Sequence, residues 1–253
     1  MARPEHQAPP ELFYDEVSAG KYTSNSRVTM IQAAMAERCI ELLNFAPGDR
    51  CLVLDVGCGS GLSGDALVAA GHEWIGVDVS DAMLRVAVDR GCGSGGSAGG
   101  DMLLGDMGQG FGLRAGTVDG AISVSALQWL CYADRAGHRA GRRLGAFFSS
   151  LYRVLRRGAR AALQFYPESA AQIELITATA HRAGFTGGLV VDNPESTKAK
   201  KYYLCIFAGS DAAVGVRERV SDAAGGTVGD DELDGGGGGR RYRRGGCTLR
   251  GRQ

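Results

Sequence analysis

The stretch Leu54-Asp55-Val56-Gly57-Cys58-Gly59-Ser60-Gly61-Leu62 (residues 54–62) decides how this chain is read. It joins a short apolar run, CLVLDV at 51–56, to a segment of helical type at 62–70, with glycine at every second position of the join. An apolar run of that length ending in glycines is the form of a buried parallel strand. Glycine lets the backbone turn tightly and approach a ligand closely, and the helix that follows offers free N–H groups at its start. The dinucleotide fingerprint requires GxGxxG, but residues 57–62 read GCGSGL, with the third glycine one place early.

Outward from this loop, the apolar pattern alternates between strand and helix. Upstream, Met30, Ile31, Ala34, Met35, Ile40, Leu42 and Leu43 recur at helical spacing within 27–45, and Pro47-Gly48 ends that helix. Downstream, EWIGV (73–77) reads as a second strand, and Ser80, a good N-cap, opens a helix over 81–89. A short third strand at 102–104 precedes a fourth, VDGAISV, at 118–124. A helix over 142–155, a strand over 159–165 and a helix over 168–183 follow, then two strands at 189–192 and 202–208. Such alternation with short connections predicts an α/β fold, a mostly parallel seven-stranded sheet with helices on both faces. The two consecutive closing strands predict an antiparallel hairpin, with one strand reversed.

Composition narrows the functional classes. The 253 residues carry 28 Lys+Arg against 28 Asp+Glu, so no global basic coat exists and contact with nucleic acid must use a local patch. No run approaches the roughly 18 apolar residues that a membrane span needs. The first residues, MARPEHQAPPELFYDE, lack the charged-then-apolar pattern of a secretory signal, so an intracellular, soluble protein with no membrane association is expected. Cys39, Cys51, Cys58, Cys92, Cys131, Cys205 and Cys247 are scattered and contain no CxxC, and His6, His72, His138 and His181 are isolated. Reduced thiols, and neither a disulfide framework nor a metal site, are expected.

Glycine is over-represented, with 40 residues, and two tracts hold a concentration of it: GCGSGGSAGG at 91–100 and an unbroken run at 235–239. The first reads as an insertion in a folded region, because periodic patterns resume on both sides. The second lies in a stretch with little apolar periodicity, acidic at Asp230, Asp231, Glu232 and Asp234 and then rich in arginine. The organisation expected is an N-terminal segment (1–26), a folded domain (27–209) with the insertion at 91–100, and a disordered Gly/Arg-rich tail (210–253).

Three acids stand at the ends of the first three strands. Asp55 ends the first, ahead of the glycines, and makes the loop resemble the D-x-G-x-G-x-G loop of class I S-adenosylmethionine (SAM) methyltransferases, which have a Rossmann-like fold. Asp78 closes the second strand, where an acid can accept both ribose hydroxyls of a nucleoside or simply complement the dipole of the next helix. Asp106 follows the third strand, where the resemblance puts an acid beside adenine; alone it reads equally as a loop aspartate. Gly57, Cys58, Gly59, Gly61 and Leu62 of the loop, with Val79 and Met107 next to the two later acids, complete the expected cofactor set.

The resemblance extends beyond the loop. PPELFYDE (9–16), LDVGCGSGLSG (54–64), LLGDMGQG (103–110), SVSALQWL (123–130), YPES (166–169) and KAKKYYLCIF (198–207) resemble segments of the eukaryotic small-subunit (18S) ribosomal RNA guanine-N7 methyltransferases, the yeast bud-site-selection and human Williams–Beuren-region type. The combination of GDMGQG with SALQWL is much more specific than the glycine loop. The resemblance runs from about residue 4 to 209 and implies the class I fold, SAM as cofactor and N7 methylation of a guanine. It also implies small-subunit rRNA or the pre-40S particle as substrate, a heterodimer with a small zinc-binding activator subunit, and a role in 40S ribosome biogenesis. Nucleus and nucleolus are the implied location, with the cytoplasm open. The lengthened loop at 91–100 and the Gly/Arg-rich tail depart from the family pattern.

Guanine N7 has a free electron pair and no proton, so its methylation requires no general base; placement and exclusion of water should suffice. Ser123, Ser125, Gln128 and Trp129, at the end of the fourth strand, are the pocket candidates, with Ser123 grouped with the cofactor. Gln128 is expected to hydrogen-bond the base edge, and Trp129 either to stack on the base or to pack in the core. The resemblance sets Tyr14 over the cofactor, whereas alone it reads as a staple onto the first helix. Two arginine groups (Arg135, Arg139, Arg142, Arg143 and Arg153, Arg156, Arg157, Arg160) and the lysines Lys198, Lys200 and Lys201 read either as RNA contacts or as solvated charge. The competing functions are a SAM methyltransferase on a small molecule or protein, and a non-catalytic ribosome-assembly factor.

Overall fold

A computed structural model describes residues 3–93, 100–132 and 139–209. The centre of the glycine tract, Arg135 and His138 on the 133–138 stretch, and the expected tail from 210 lie outside the described residues.

Three helices come first: α1 (Pro10–Phe13), α2 (Glu16–Ser24) and α3 (Ser26–Leu43). Asp15 caps α2 by accepting from the Ser18 N–H, and Asn25 caps α3 by accepting from Arg27 and Val28. Then β1 (Leu52–Val56), α4 (Leu62–Ala69), β2 (Glu73–Asp78), α5 (Asp81–Asp89), β3 (Asp101–Leu104) and β4 (Val118–Val124) follow. The chain ends its described part with α6 (Ala140–Val154), β5 (Leu155–Phe165), α7 (Ala170–Arg182), β6 (Phe185–Asp192) and β7 (Lys201–Ala208). The seven strands form one sheet in the order β3-β2-β1-β4-β5-β7-β6, and β7 alone runs antiparallel to its neighbours. The order reverses between β1 and β4, and at such a switch point two loops diverge and leave a crevice beyond the strand ends.

Both sheet faces are buried, which is why the strands read as apolar runs. Leu54 and Val56 of β1 and Ala121 of β4 pack under α6 and α7 with Leu144, Phe147, Phe148, Leu151, Ile176 and Ala180. On the other face Val53 and Ile122 meet Cys39 and Leu43 of α3, Leu67 of α4 and Leu84 and Ala87 of α5.

Several boundaries differ from those read in the sequence. The chain passes from α6 straight into β5 at Leu155, so Arg156 and Arg157 lie within the strand rather than in a turn. The pairing register between β4 and β5 shifts from Val118↔Leu155 to Gly120↔Arg160, which lets residues 156–159 (Arg156, Arg157, Gly158, Ala159) bulge while the sheet continues. β6 starts at Phe185, before the apolar run, because β7 supplies ladder partners for Thr186, Gly187 and Gly188. α7 starts at Ala170, capped by Ser169 accepting from the Gln172 N–H, so Glu168 remains outside the helix. Among the described residues no helix is long and apolar enough to cross a membrane, and no group of His, Cys, Asp and Glu is placed to hold a metal.

Candidate active site

The glycine loop leaves β1 and is tied at once to its neighbour: Gly57 and Cys58 donate to the Val77 carbonyl of β2 at 2.8 and 3.3 Å. Gly57 has φ +73, and a Cβ on it would lie 2.3 Å from the Ala126 Cβ, so only glycine lets the loops after β1 and β4 approach this closely. Gly59 and Gly61 also have positive φ, and Gly61 is the N-cap of α4, which therefore begins at the cleft. Arg90, from the end of α5, donates to the Ser60 carbonyl and pairs with Asp65, holding the loop from outside.

Asp78 ends β2 and organises this wall. Its Oδ2 accepts from the Gly59 N–H and its Oδ1 from the Ser80 N–H, both at 2.8 Å. Each oxygen keeps acceptor capacity toward the cleft. Burial pushes the Asp78 carboxyl above its ordinary value, against the pull of the Ser80, Gly59 and Val79 amides. Ser80 caps α5 and its hydroxyl donates to the Tyr14 carbonyl at 2.9 Å, so one side chain joins the N-terminal segment to the β2 end. Asp106, past β3, accepts from the Gly108 N–H at 2.8 Å and from Arg143 Nη2 at 2.7 Å.

Together these elements enclose a cleft of about 900 Å³, counting the solvent at its mouth. Of the residues expected at the site, Tyr14, Gly57, Cys58, Gly59, Leu62, Asp78, Val79, Asp106, Met107, Ser125 and Trp129 line it. Asp55, Gly61, Ser123 and Gln128 stand behind the wall instead. Asp55 is fully buried and accepts from Ser63 Oγ at 2.6 Å. Burial, opposed by that bond and reinforced by the Asp78 charge, pushes its carboxyl up to about 7. Ser123 is also fully buried, donating to the Val56 carbonyl at 2.8 Å across the β1–β4 pair. Gln128 does not reach toward a base: its Nε2 donates to the Ser125 carbonyl at 2.8 Å and its Oε1 accepts from the Tyr166 N–H at 3.5 Å.

Residues that the sequence reading did not assign to the cofactor or base pocket also line the cleft: Pro10, Tyr22, Gln32, Ser60, Met83 and Arg143, the last read there as an RNA contact or solvated charge. Tyr22 and Gln32 belong to α2 and α3, whose approach to the strand ends has no sequence signature. Ser60 was legible as part of the loop; its Oγ is buried and has no hydrogen-bond partner among the described protein atoms. The Tyr14 and Tyr22 rings lie 5.6 Å apart, and Trp129 lies 6.1 Å from both Phe13 and Tyr14, so the cleft has an aromatic side. Burial, with the Asp78 and Glu5 carboxylates nearby, pushes the Tyr14 hydroxyl up to about 12; it is a neutral donor at physiological pH.

The arginine groups do not form one patch. Arg142 is exposed, whereas Arg143 is paired with Asp106 inside the cleft. Arg153 donates to the Phe111 carbonyl, Arg156 pairs with Asp119, Arg160 stacks on Phe207, and Lys201 lies over Tyr166.

Residues 54–163 match the family model described as a methyltransferase domain. A protein of Mus musculus named 18S rRNA (guanine-N(7))-methyltransferase is 56% identical over 84% of this chain and 73% of its own length. One of Arabidopsis thaliana named 18S rRNA (guanine-N(7))-methyltransferase RID2 is 57% identical over 82% of this chain and 70% of its own. Among solved structures, a TehB-like SAM-dependent methyltransferase from Corynebacterium glutamicum superimposes with a TM-score of 0.53 at 19% identity, covering 78% of this chain and all of that one, a likeness of fold alone. Identity above one half through more than two thirds of the relatives' length settles kinship: the chain belongs to the 18S rRNA guanine-N7 methyltransferase family.

Proposed function

We propose that this protein methylates N7 of a guanine in small-subunit ribosomal RNA, as an enzyme of 40S ribosome biogenesis, with S-adenosyl-L-methionine as methyl donor. The observation that carries the reading is the carboxylate of Asp78, fixed by two backbone amides at the end of β2, one strand from the switch point, with acceptor capacity left on both oxygens. That is the acceptor geometry a vicinal ribose diol requires. The residues fit the rest of the cofactor too. The unpartnered Ser60 Oγ and the N-terminus of α4 suit the polar amino-acid end, and Asp106, steadied by Arg143, suits an exocyclic amine. Met83, Val79 and Met107 supply apolar walls for a purine. When bound, the cofactor supplies an electrophilic methyl on a sulfonium.

The chain's own residues then have to place a base and exclude water. Among the described residues the only carboxylates that line the cleft are Asp78 and Asp106, and no histidine does; the first serves the ribose and the second the exocyclic amine in this reading. Such a wall suits N7, which releases no proton. Methylated N7 leaves a positive charge on the purine, and the aromatic side formed by Tyr14, Tyr22 and Trp129 favours a cation there. The N-terminal segment supports the reading as a cover. Arg3 donates to the Tyr166 and Pro167 carbonyls at 3.0 and 2.9 Å, and Tyr132 donates to Glu168 at 2.7 Å beside His6.

The β3 edge supports a partner. Leu103 and Leu104 on this outer strand and Val88 on α5 are exposed, 43%, 62% and 59% respectively. Among the described residues β3 has no strand on its outer side; an apolar sheet edge is a template for strand addition, and a small zinc-binding activator subunit seated there fits the resemblance. Arg139 and Arg142 at the start of α6 are the RNA contacts we favour. Work on ribosomal RNA argues for the nucleus and nucleolus, with the cytoplasm as a further station of the maturing subunit.

The test is methyl transfer from labelled SAM to small-subunit rRNA, with and without a co-expressed activator, followed by nucleoside digestion. Label is expected in 7-methylguanosine, with higher yield when the activator is present. Label confined to another nucleoside, or to protein, would overturn the assignment.

A further inference from the structure

The loop after β4 carries Trp129, one of the three aromatic residues that line the cleft, and its conformation is unusual. Ser125 has φ +59, a left-handed backbone in a residue that is not glycine. Two glutamines hold it there. Gln164, fully buried on β5, turns its Oε1 to accept from both the Ser125 N–H and the Ser125 hydroxyl at 2.9 Å, and its own carbonyl accepts from the same N–H at 3.1 Å. Gln128 closes the other side, its Nε2 donating to the Ser125 carbonyl at 2.8 Å. Just past Ser125 the chain makes a 3-10 turn, Leu127–Cys131, which contains Gln128 and places Leu127 and Leu130 in the core and Trp129 against the cleft.

We propose that Gln164 and Gln128 are positioning residues that clamp Ser125 in its left-handed conformation and so fix Trp129 for the target base. This rests on the reading of the cleft as a guanine-methylating site. The clamp is polar in a defined sense: position 164 must present an acceptor to an N–H, and position 128 must present a donor to a carbonyl. The backbone cost of holding a left-handed serine is met by those bonds, so removing either lets the turn relax and moves the indole.

The opposite polarity of the two ends supplies the test. In the protein co-expressed with its activator, Gln164→Glu keeps the acceptor, whereas Gln164→Met keeps the volume and loses it. Gln128→Glu loses the donor. We expect Gln164→Glu to keep kcat within threefold of the parent, and Gln164→Met and Gln128→Glu to lose at least tenfold, the scale of a misplaced reacting group. SAM affinity by calorimetry should stay within twofold in all three. A packing role predicts the reverse order at 164, because Met packs well and a buried carboxylate does not. A folded Gln164→Met with parental kcat overturns the clamp, as does equal loss in Gln164→Glu and Gln128→Glu. Should Gln164→Met fail to fold, the contrast between the two glutamate variants still decides. A parent protein that makes no 7-methylguanosine would instead overturn the functional reading and leave the clamp to be judged by Trp129 fluorescence, expected to shift in Gln128→Glu and not in Gln164→Glu.

Discussion

On the β1–β2 side the cleft wall is built from backbone amides and a carboxylate bonded to one another, each within a few residues of its strand end. On the β4–β5 side it is built from aromatic rings and a hydroxyl-bearing turn, held by side chains from three separate parts of the chain. Asp78 is oriented by Gly59 and Ser80, its near neighbours in the loop pair. Trp129 is oriented by Phe13 and Tyr14 from the N-terminal segment and by the Gln164–Ser125–Gln128 bonds from β5. The first side reuses a local solution to nucleotide binding, which many acceptors share. The second is assembled from distant pieces, as expected where an enzyme chooses its substrate.

If the two sides divide the labour in this way, mutations should separate cofactor affinity from turnover. The largest effect is expected from Asp78→Ala, which removes the shared acceptor and frees two loop amides: SAM binding should weaken by about 1.5–3 kcal/mol, the scale of charge-assisted hydrogen bonds. Unchanged affinity by calorimetry in a folded variant would break the comparison at its strongest point. Trp129→Ala should do the converse, slowing methyl transfer by roughly 1–3 kcal/mol, the range for loss of one stacked base, with SAM affinity nearly unaltered. Equal losses in kcat and in SAM affinity would show that the indole serves the cofactor instead.

Asp55 sharpens the comparison from beneath. Its carboxyl is pushed up to about 7 from an ordinary 3.8, chiefly by burial. The folded protein therefore binds a proton that the unfolded chain has lost, so this group's contribution to stability falls as pH rises through that window and stays reduced above it. Asp55→Asn keeps an acceptor for Ser63 and removes the buried charge. Its melting temperature should exceed the parent's by about 2–4 °C or more at pH 8, with the gap closing toward pH 4. A gap that is constant with pH would mean Asp55 is not the group that titrates.

The smallest effect is an expected flatness. With no proton to remove from N7, kcat should hardly vary across about pH 7–9, without the bell of an essential acid and base. A limb near pH 7 that Asp55→Asn abolishes in protein folded throughout the range would make Asp55 part of a proton path and exclude N7 as the acceptor.

Much of the β1–β2 side was legible because its determinants are contiguous. Glycine at 57, 59 and 61 after an apolar run specifies a strand, a tight loop and a helix start, whatever surrounds them. Ser80 as N-cap and Asp78 at a strand end follow the same local logic. Position in the motif did not reveal which side of the wall a residue occupies: Asp55, one residue before the end of β1, turns inward under the loop, while Asp78, the last residue of β2, faces the cleft.

The sequence by itself determined the layered architecture and its hairpin finish, because strand and helix periods and glycine-broken loops act over short distances. Tertiary structure alone decided what Gln128, Tyr22 and Arg143 do. Gln128 reads as a group for a base edge until the fold supplies the Ser125 carbonyl; Tyr22 lines the cleft from α2, which carries no signature for it; Arg143 reads as an RNA contact or a solvated cation until Asp106 lies 2.7 Å away. Periodicity reports which face of an element is buried. Which polar partner a side chain meets is not coded in that period: Gln128 finds the Ser125 carbonyl three residues back through the turn, Arg143 finds Asp106 from 37 residues away, and only the completed packing fixes both.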